Sequence, residues 1–139
     1  MIQSVLSHLH FDGRADEAIA LYQHALGATV DACMRWSEMP GGGCPAGEAG
    51  KVMHARLSLG KGALLLADVP KHAPHPARPN GTLLLDFDDA EELQRCFAAL
   101  AEGGRVLMAV HDAFWGAKFG LLEDKLGVAW MLTCPNPAG

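Results

Sequence analysis

Two stretches of one chain, LHFDGRADEAIALYQHALGATV (residues 9–30) and LDFDDAEELQRCFAALAEGGRV (residues 85–106), fall into register when the sequence is slid 76 positions along itself. Leu9 then meets Leu85, Phe11 meets Phe87, Asp12 meets Asp88, Gly27 meets Gly103 and Val30 meets Val106. Each stretch reads as strand, helix, strand. In the first, residues 5–11 place Val5, Ser7, Leu9 and Phe11 on one face and Leu6, His8 and His10 on the other. Asp12-Gly13 turns the chain, and Asp16 and Glu17 suit the electropositive start of a helix. Ala15, Ala18, Ile19, Tyr22, Ala25 and Leu26 recur at helical spacing until Gly27 stops them, and residues 29–36 form a strand. In the second, residues 82–87 are a strand and Asp89 with Glu92 makes a variant capping box. Leu93, Cys96, Phe97, Leu100 and Ala101 then line a helix that ends at Gly103-Gly104, before a strand over residues 105–110.

The repeat continues into hairpins. Strands at 52–59 and 63–68 flank Gly60-Lys61-Gly62, which overlies Lys125-Leu126-Gly127 at an offset of 65. The whole is a duplicated βαβββ unit. A unit of this size cannot bury a sheet face alone, so the expected fold is α+β, two fused βαβββ modules forming a concave cleft. Module 1 covers about residues 1–69 and module 2 about 82–134 of a single 139-residue domain. Residues 70–81, PKHAPHPARPNG, carry four prolines and read as the linker between them. Residues 39–51, with five glycines and two prolines in thirteen positions, form a long loop of the kind that is either mobile or a flap over a site.

Composition narrows the function. Half the residues are hydrophobic and 19% are charged, which suits a globular chain rather than a disordered one. The net charge is −5 and the eleven basic residues are scattered singly, so a nucleic-acid backbone has no basic stripe to rest on. No apolar run is long enough to span a bilayer, and residues 1–9 lack the basic and apolar regions of a secretory signal, which points to the cytoplasm. The four cysteines show no zinc spacing and are expected as reduced, structural thiols. No serine-hydrolase, P-loop or dinucleotide fingerprint occurs.

Three segments, LHFDGRADEAIALYQHALGA, VMHARLSLGKGALLLAD and FWGAKFGLLEDKLGVAWML, together resemble the PhnB-like branch of the glyoxalase, bleomycin-resistance and extradiol-dioxygenase (vicinal oxygen chelate) superfamily. The resemblance spans nearly the whole chain. It implies the two-module fold, a homodimer, and a small-molecule ligand in the cleft. In the metal-dependent members, His, Gln or Glu ligands on the first and last strands of the modules hold a divalent ion with open positions for substrate oxygens. Here the last-strand glutamate position falls on Met131 and the module-2 histidine position near Thr82. A thioether is a poor partner for a hard divalent metal, so the usual metal site and any other cofactor are expected to be absent. The alternative is an unusual ligand set that includes His8, which shares a face with Leu6, the residue paired with Thr82 by the repeat. PhnB-like sequences have also carried a ubiquinone-methyltransferase label, but nothing in this chain resembles the glycine-rich cofactor loop of an S-adenosylmethionine enzyme.

The candidate cleft residues are therefore His8, His10, His54, Phe114, Trp115, Phe119 and Met131. His54 shares a strand face with Arg56 and Ser58 and is the candidate catalytic base or polar anchor, since an imidazole titrates near neutrality. Asp68 either orients His54 or serves as a turn residue, with the turn favoured. Strand parity sends Trp130 into the core if Met131 faces the cleft, while Phe114, Trp115 and Phe119 are placed for an aromatic wall. Asp124 reads as a structural turn residue, Glu123 as an outside candidate for the site, and His72 and His75 as linker residues. Two classes of function remain open. One is a metal-independent module that binds a small, partly apolar molecule; the other is a glyoxalase- or dioxygenase-type lyase, isomerase or oxygenase.

Overall fold

The computed structural model describes residues 1–44, 46–70 and 80–137. The expected linker falls almost entirely outside the described residues, and His72 and His75 with it. The chain divides into two compact units, Met1–Ala77 and Arg78–Gly139.

The first unit runs β1 (Ser7–Phe11), α1 (Ala15–Leu26), β2 (Thr29–Arg35), β3 (Val52–Leu59) and β4 (Gly62–Asp68). Its four-stranded sheet has the order β1-β4-β3-β2, with β1 parallel to β4 and the other pairs antiparallel. The helix buries Ala15, Ala18, Leu21, Tyr22 and Ala25, and the strands supply Phe11, Ala55, Leu57, Leu64 and Leu66 to the same core. Small residues on the helix let its backbone approach the sheet, and the bulkier strand leucines fill the layer between. Gly27, left-handed at φ 68°, ends the helix as its position after the apolar stripe requires.

The start of α1 departs from the usual local arrangement. Arg14 stands at the N-cap and offers no side-chain acceptor to the first helical amides. The acceptor comes instead from the far end of the sheet. Asp68, only 2% exposed, receives the Ala15 amide on Oδ1 at 2.9 Å and the Val52 amide on Oδ2 at 3.1 Å. One buried carboxylate thus fixes the first turn of α1, the first residue of β3 and the last residue of β4. Asp68 is therefore more than a turn residue. Bonded on the helix-covered side of the sheet, it does not orient His54, so that alternative is corrected.

The second unit repeats the plan with β5 (Leu83–Asp86), α2 (Ala90–Ala101), β6 (Arg105–Ala113), β7 (Ala117–Glu123) and β8 (Ala129–Pro135), in the order β5-β8-β7-β6. Again the first strand is parallel to the last. Here the cap is local, as the sequence indicates: Asp89 accepts from the Glu91 amide at 3.0 Å. Leu93, Cys96, Phe97 and Leu100 are buried against Leu122, Trp130, Leu132 and Cys134. Gly120 is a point of close approach between the sheet and α2. A Cβ there would lie 2.6 Å from Cε2 of Phe97 and 2.9 Å from Cγ2 of Val110, so only glycine admits the ring.

The hairpins differ. Two residues, Gly60 and Lys61, join β3 to β4, whereas residues 124–128 join β7 to β8. The longer turn is built on Asp124, which is 2% exposed. Its Oδ1 accepts from the Leu126 and Val128 amides and its Oδ2 from the Trp130 indole N–H at 2.9 Å. Asp124 is structural and Trp130 is core, both in keeping with the sequence. Residues 39–51 contain a 3-10 turn at Pro40–Gly42, following another at Trp36–Glu38. The base of the excursion is closed by bonds from the Trp36 amide to the Lys51 carbonyl and from the Ser37 amide to the Ala49 carbonyl, both at 3.0 Å. All four cysteines are free thiols, and burial pushes that of Cys96 up. Among the described residues, no helix is long and apolar enough to cross a membrane.

Candidate functional site

Each sheet has one face covered by its helix and one left open, and strand parity decides which side chains reach the open one. On the first sheet these include His8 and His10 of β1, Leu65 and Ala67 of β4, His54 and Arg56 of β3, and Met34 of β2. The register carries a row from His8 through Leu65 and Arg56 to Ala32, while His10 lies opposite Ala67 and His54 opposite Met34. The sequence-derived trio of histidines is brought to one face. The rings of His8 and His10 lie 4.8 Å apart, tilted by 58°. Burial, and then the nearby His10 and His54, hold the His8 imidazole below its ordinary pKa. Asp31 accepts a hydrogen bond from the Ser58 hydroxyl and lies 3.7 Å from Nε of Arg56.

The open face of the second sheet is mostly apolar. One row runs Leu84, Met131, Leu121, Met108 across all four strands. The next runs Asp86, Thr133, Phe119, His111. Met131 therefore sits between two leucines, not beside any carboxylate or imidazole of its own row. Leu84 is 58% and Met108 45% exposed, so the row ends on each edge strand in a large apolar side chain open to solvent.

Phe119 belongs to β7 itself, whereas Phe114 and Trp115 form the tip of the β6–β7 turn. The three are nevertheless continuous. Trp115 meets Phe119 edge to face at 5.5 Å and Phe114 meets Trp115 likewise at 4.9 Å. His111 extends the chain, its ring 6.2 Å from Phe119 with Nδ1 2.9 Å from the Ala109 carbonyl. T-shaped contacts of this kind stiffen an exposed aromatic group. Glu123 pairs with Arg105 at 3.6 Å at the outer end of the face.

Sequence reasoning did not find His111, Leu84, Leu121 or Met108. His111 lay beyond the strand end read at residue 110, and the other three became visible only through the register that sets them beside Met131. Among the described residues, no three His, Cys, Asp or Glu side chains are grouped so that they could hold a metal ion. The donor set among the described residues thus does not fit the divalent-metal site of the metal-dependent enzymes.

Residues 5–132 match the model of the Glyoxalase/Bleomycin resistance protein/Dioxygenase superfamily. Protein YjdN of Escherichia coli (strain K12) is 33% identical over 141 residues, covering 90% of each chain. The crystal structure of protein PA1353 from Pseudomonas aeruginosa superposes with a TM-score of 0.87 at 36% identity, over 98% of this chain and all of that one. The PhnB protein from Bacillus cereus gives 0.77 at 28% identity, over 95% of this chain and 99% of its own. The duplicated βαβββ plan and these matches agree: the chain belongs to the glyoxalase, bleomycin-resistance and dioxygenase superfamily, with PhnB-like proteins among its relatives.

Proposed function

We propose that this protein binds a small, partly apolar molecule on the open faces of its sheets, without the divalent metal of the superfamily's enzymes, as a cytoplasmic homodimer. The observation that carries this reading is the apolar row Leu84, Met131, Leu121, Met108, flanked by the Phe119–Trp115–Phe114 group. Ligand sites are mostly apolar surfaces with a few placed polar groups, and on the second sheet Trp115, Phe119 and Met131 supply contact area, while on the first sheet His54 offers a polar group. The exposed Val106, Leu107 and Met108 of edge strand β6 support association with a second copy.

A second reading has its own support. Because His8, His10 and His54 share one face, an imidazole is available as a base, and a lyase, isomerase or oxygenase activity with His54 in that role is the alternative. One experiment separates the two. The protein, purified without added metal, is assayed for Fe, Mn, Ni and Zn and screened by thermal shift against small neutral aromatic and aliphatic compounds. A raised melting temperature without turnover supports binding. Stoichiometric metal that is lost in His8→Ala or His54→Ala overturns it.

A further inference from the structure

The open face of the first sheet gathers imidazoles and gives them nothing to bond. His8 and His10 stand 4.8 Å apart, and His54 is close enough to act on the protonation of His8. Among the described residues, none of the three rings has a hydrogen-bonding partner. The other charged groups on this face are Arg56 of β3 and Asp31 of β2. Asp31 is already shared between Arg56 and the Ser58 hydroxyl, and β4 contributes only Leu65 and Ala67. Protonation of the rings therefore builds positive charge that no carboxylate on the same face is left to balance.

We propose that this face holds a small oxyanion group, a carboxylate, phosphate or sulfate, against the ring N–H groups of His8, His10 and His54. The inference rests on the reading that the open faces are the binding faces, and it names the ligand chemistry that the first sheet's face would take. An anion bridging close imidazoles relieves their mutual repulsion and accepts charge-assisted hydrogen bonds from them. An anion that bonds ring N–H groups favours the protonated imidazoles, so its binding takes up protons, and each proton taken up steepens the affinity by as much as about tenfold per pH unit.

The test compares naphthoate with naphthylmethanol, its neutral counterpart of the same size, by calorimetry and by the histidine ring signals in NMR, at about pH 5.5 and about pH 8. Naphthoate is expected to shift the signals of His8, His10 and His54 and to bind about tenfold or more tightly at the lower pH, with no such dependence for naphthylmethanol. Inorganic sulfate moving the same signals supports an oxyanion site that needs no apolar body. The variant H10Q/H54Q, changed at exposed positions, is expected to lose the pH dependence. Naphthoate affinity equal at both pH values, unmoved ring signals at the lower pH, or a retained pH dependence in H10Q/H54Q overturns the inference. Naphthylmethanol binding that survives these failures leaves the apolar-ligand reading standing, so the two fall separately.

Discussion

Replacing Asp68 by alanine is expected to lower the stability of the first unit severely, without acting through His54. Two amides, those of Ala15 and Val52, lose their acceptor in a place where the side chain is 2% exposed and water has little access. A buried donor left unpaired costs about 1–3 kcal/mol, so the pair amounts to about 2–6 kcal/mol. That compares with about 5–15 kcal/mol for the total stability of a typical domain. With a urea slope of about 2 kcal/mol per molar, the unfolding midpoint falls by about 1–3 M while the slope stays constant. Asp68→Asn keeps one acceptor and turns a donor toward the other amide, so it recovers at most half of the loss. Urea unfolding followed by circular dichroism reads all three proteins. A midpoint shift below about 0.3 M in Asp68→Ala would refute the reasoning, because it would mean that neither amide depends on the carboxylate. If Asp68 served His54 instead, the variant would keep its midpoint and the histidine's titration would move.

Gly120→Ala is expected to cost about 1–3 kcal/mol by driving a methyl into Phe97 and Val110, and Phe97→Leu in the same chain should recover part of it; additive losses in thermal melts would contradict the contact. The lowered pKa of His8 makes the folded state the poorer proton binder, so stability is unaffected above the ordinary histidine value of about 6.5 and is lost as pH falls through it toward the folded value. Urea midpoints at acid and neutral pH should accordingly differ less in His8→Gln than in the parent, and an equal or larger difference would count against it. Trp115→Ala and Phe119→Ala are each expected to weaken naphthylmethanol binding by about tenfold, the worth of one aromatic contact, while leaving the melting temperature nearly unchanged for the exposed Trp115. Met131→Glu, which sets a carboxylate between Leu84 and Leu121, should abolish that binding; undiminished affinity would place the ligand elsewhere.

The duplicated plan was legible because it is written in local periodicities: alternation in the strands, a helical stripe ending in glycine, turn residues between hairpin strands. What depends on pairs distant in sequence was not. Asp68 reaches partners 53 and 16 residues away, and nothing beside it in the sequence names them. A signal did exist at the other end, since Arg14 is a poor N-cap and leaves the helix start needing an acceptor from elsewhere. Strand β6 was read as ending at residue 110, yet His111, Asp112 and Ala113 pair with Phe119, Lys118 and Ala117. Likewise Trp130 and Met131 could be assigned to opposite faces by parity, but the neighbours of Met131 follow from the parallel register with β5. His8, His10 and His54 could be placed on strand faces from alternation alone; that they lack hydrogen-bonding partners among the described residues is a property of the assembled sheet.

The parallel pairing of first and last strands sets the order in which this protein can take shape during synthesis. Ser7 must wait for Leu64 before β1 has an edge to join, and Leu83 must wait for Trp130. Until then, each unit's opening strand and helix have no sheet to settle on, and their apolar faces are open to mispairing. Once Asp68 has left the ribosome every strand of the first unit is present, so that unit can close before the second has emerged. A pause in translation once residue 68 has emerged would give a nascent chain time to bury those faces, and slow decoding earlier in the gene would prolong their exposure.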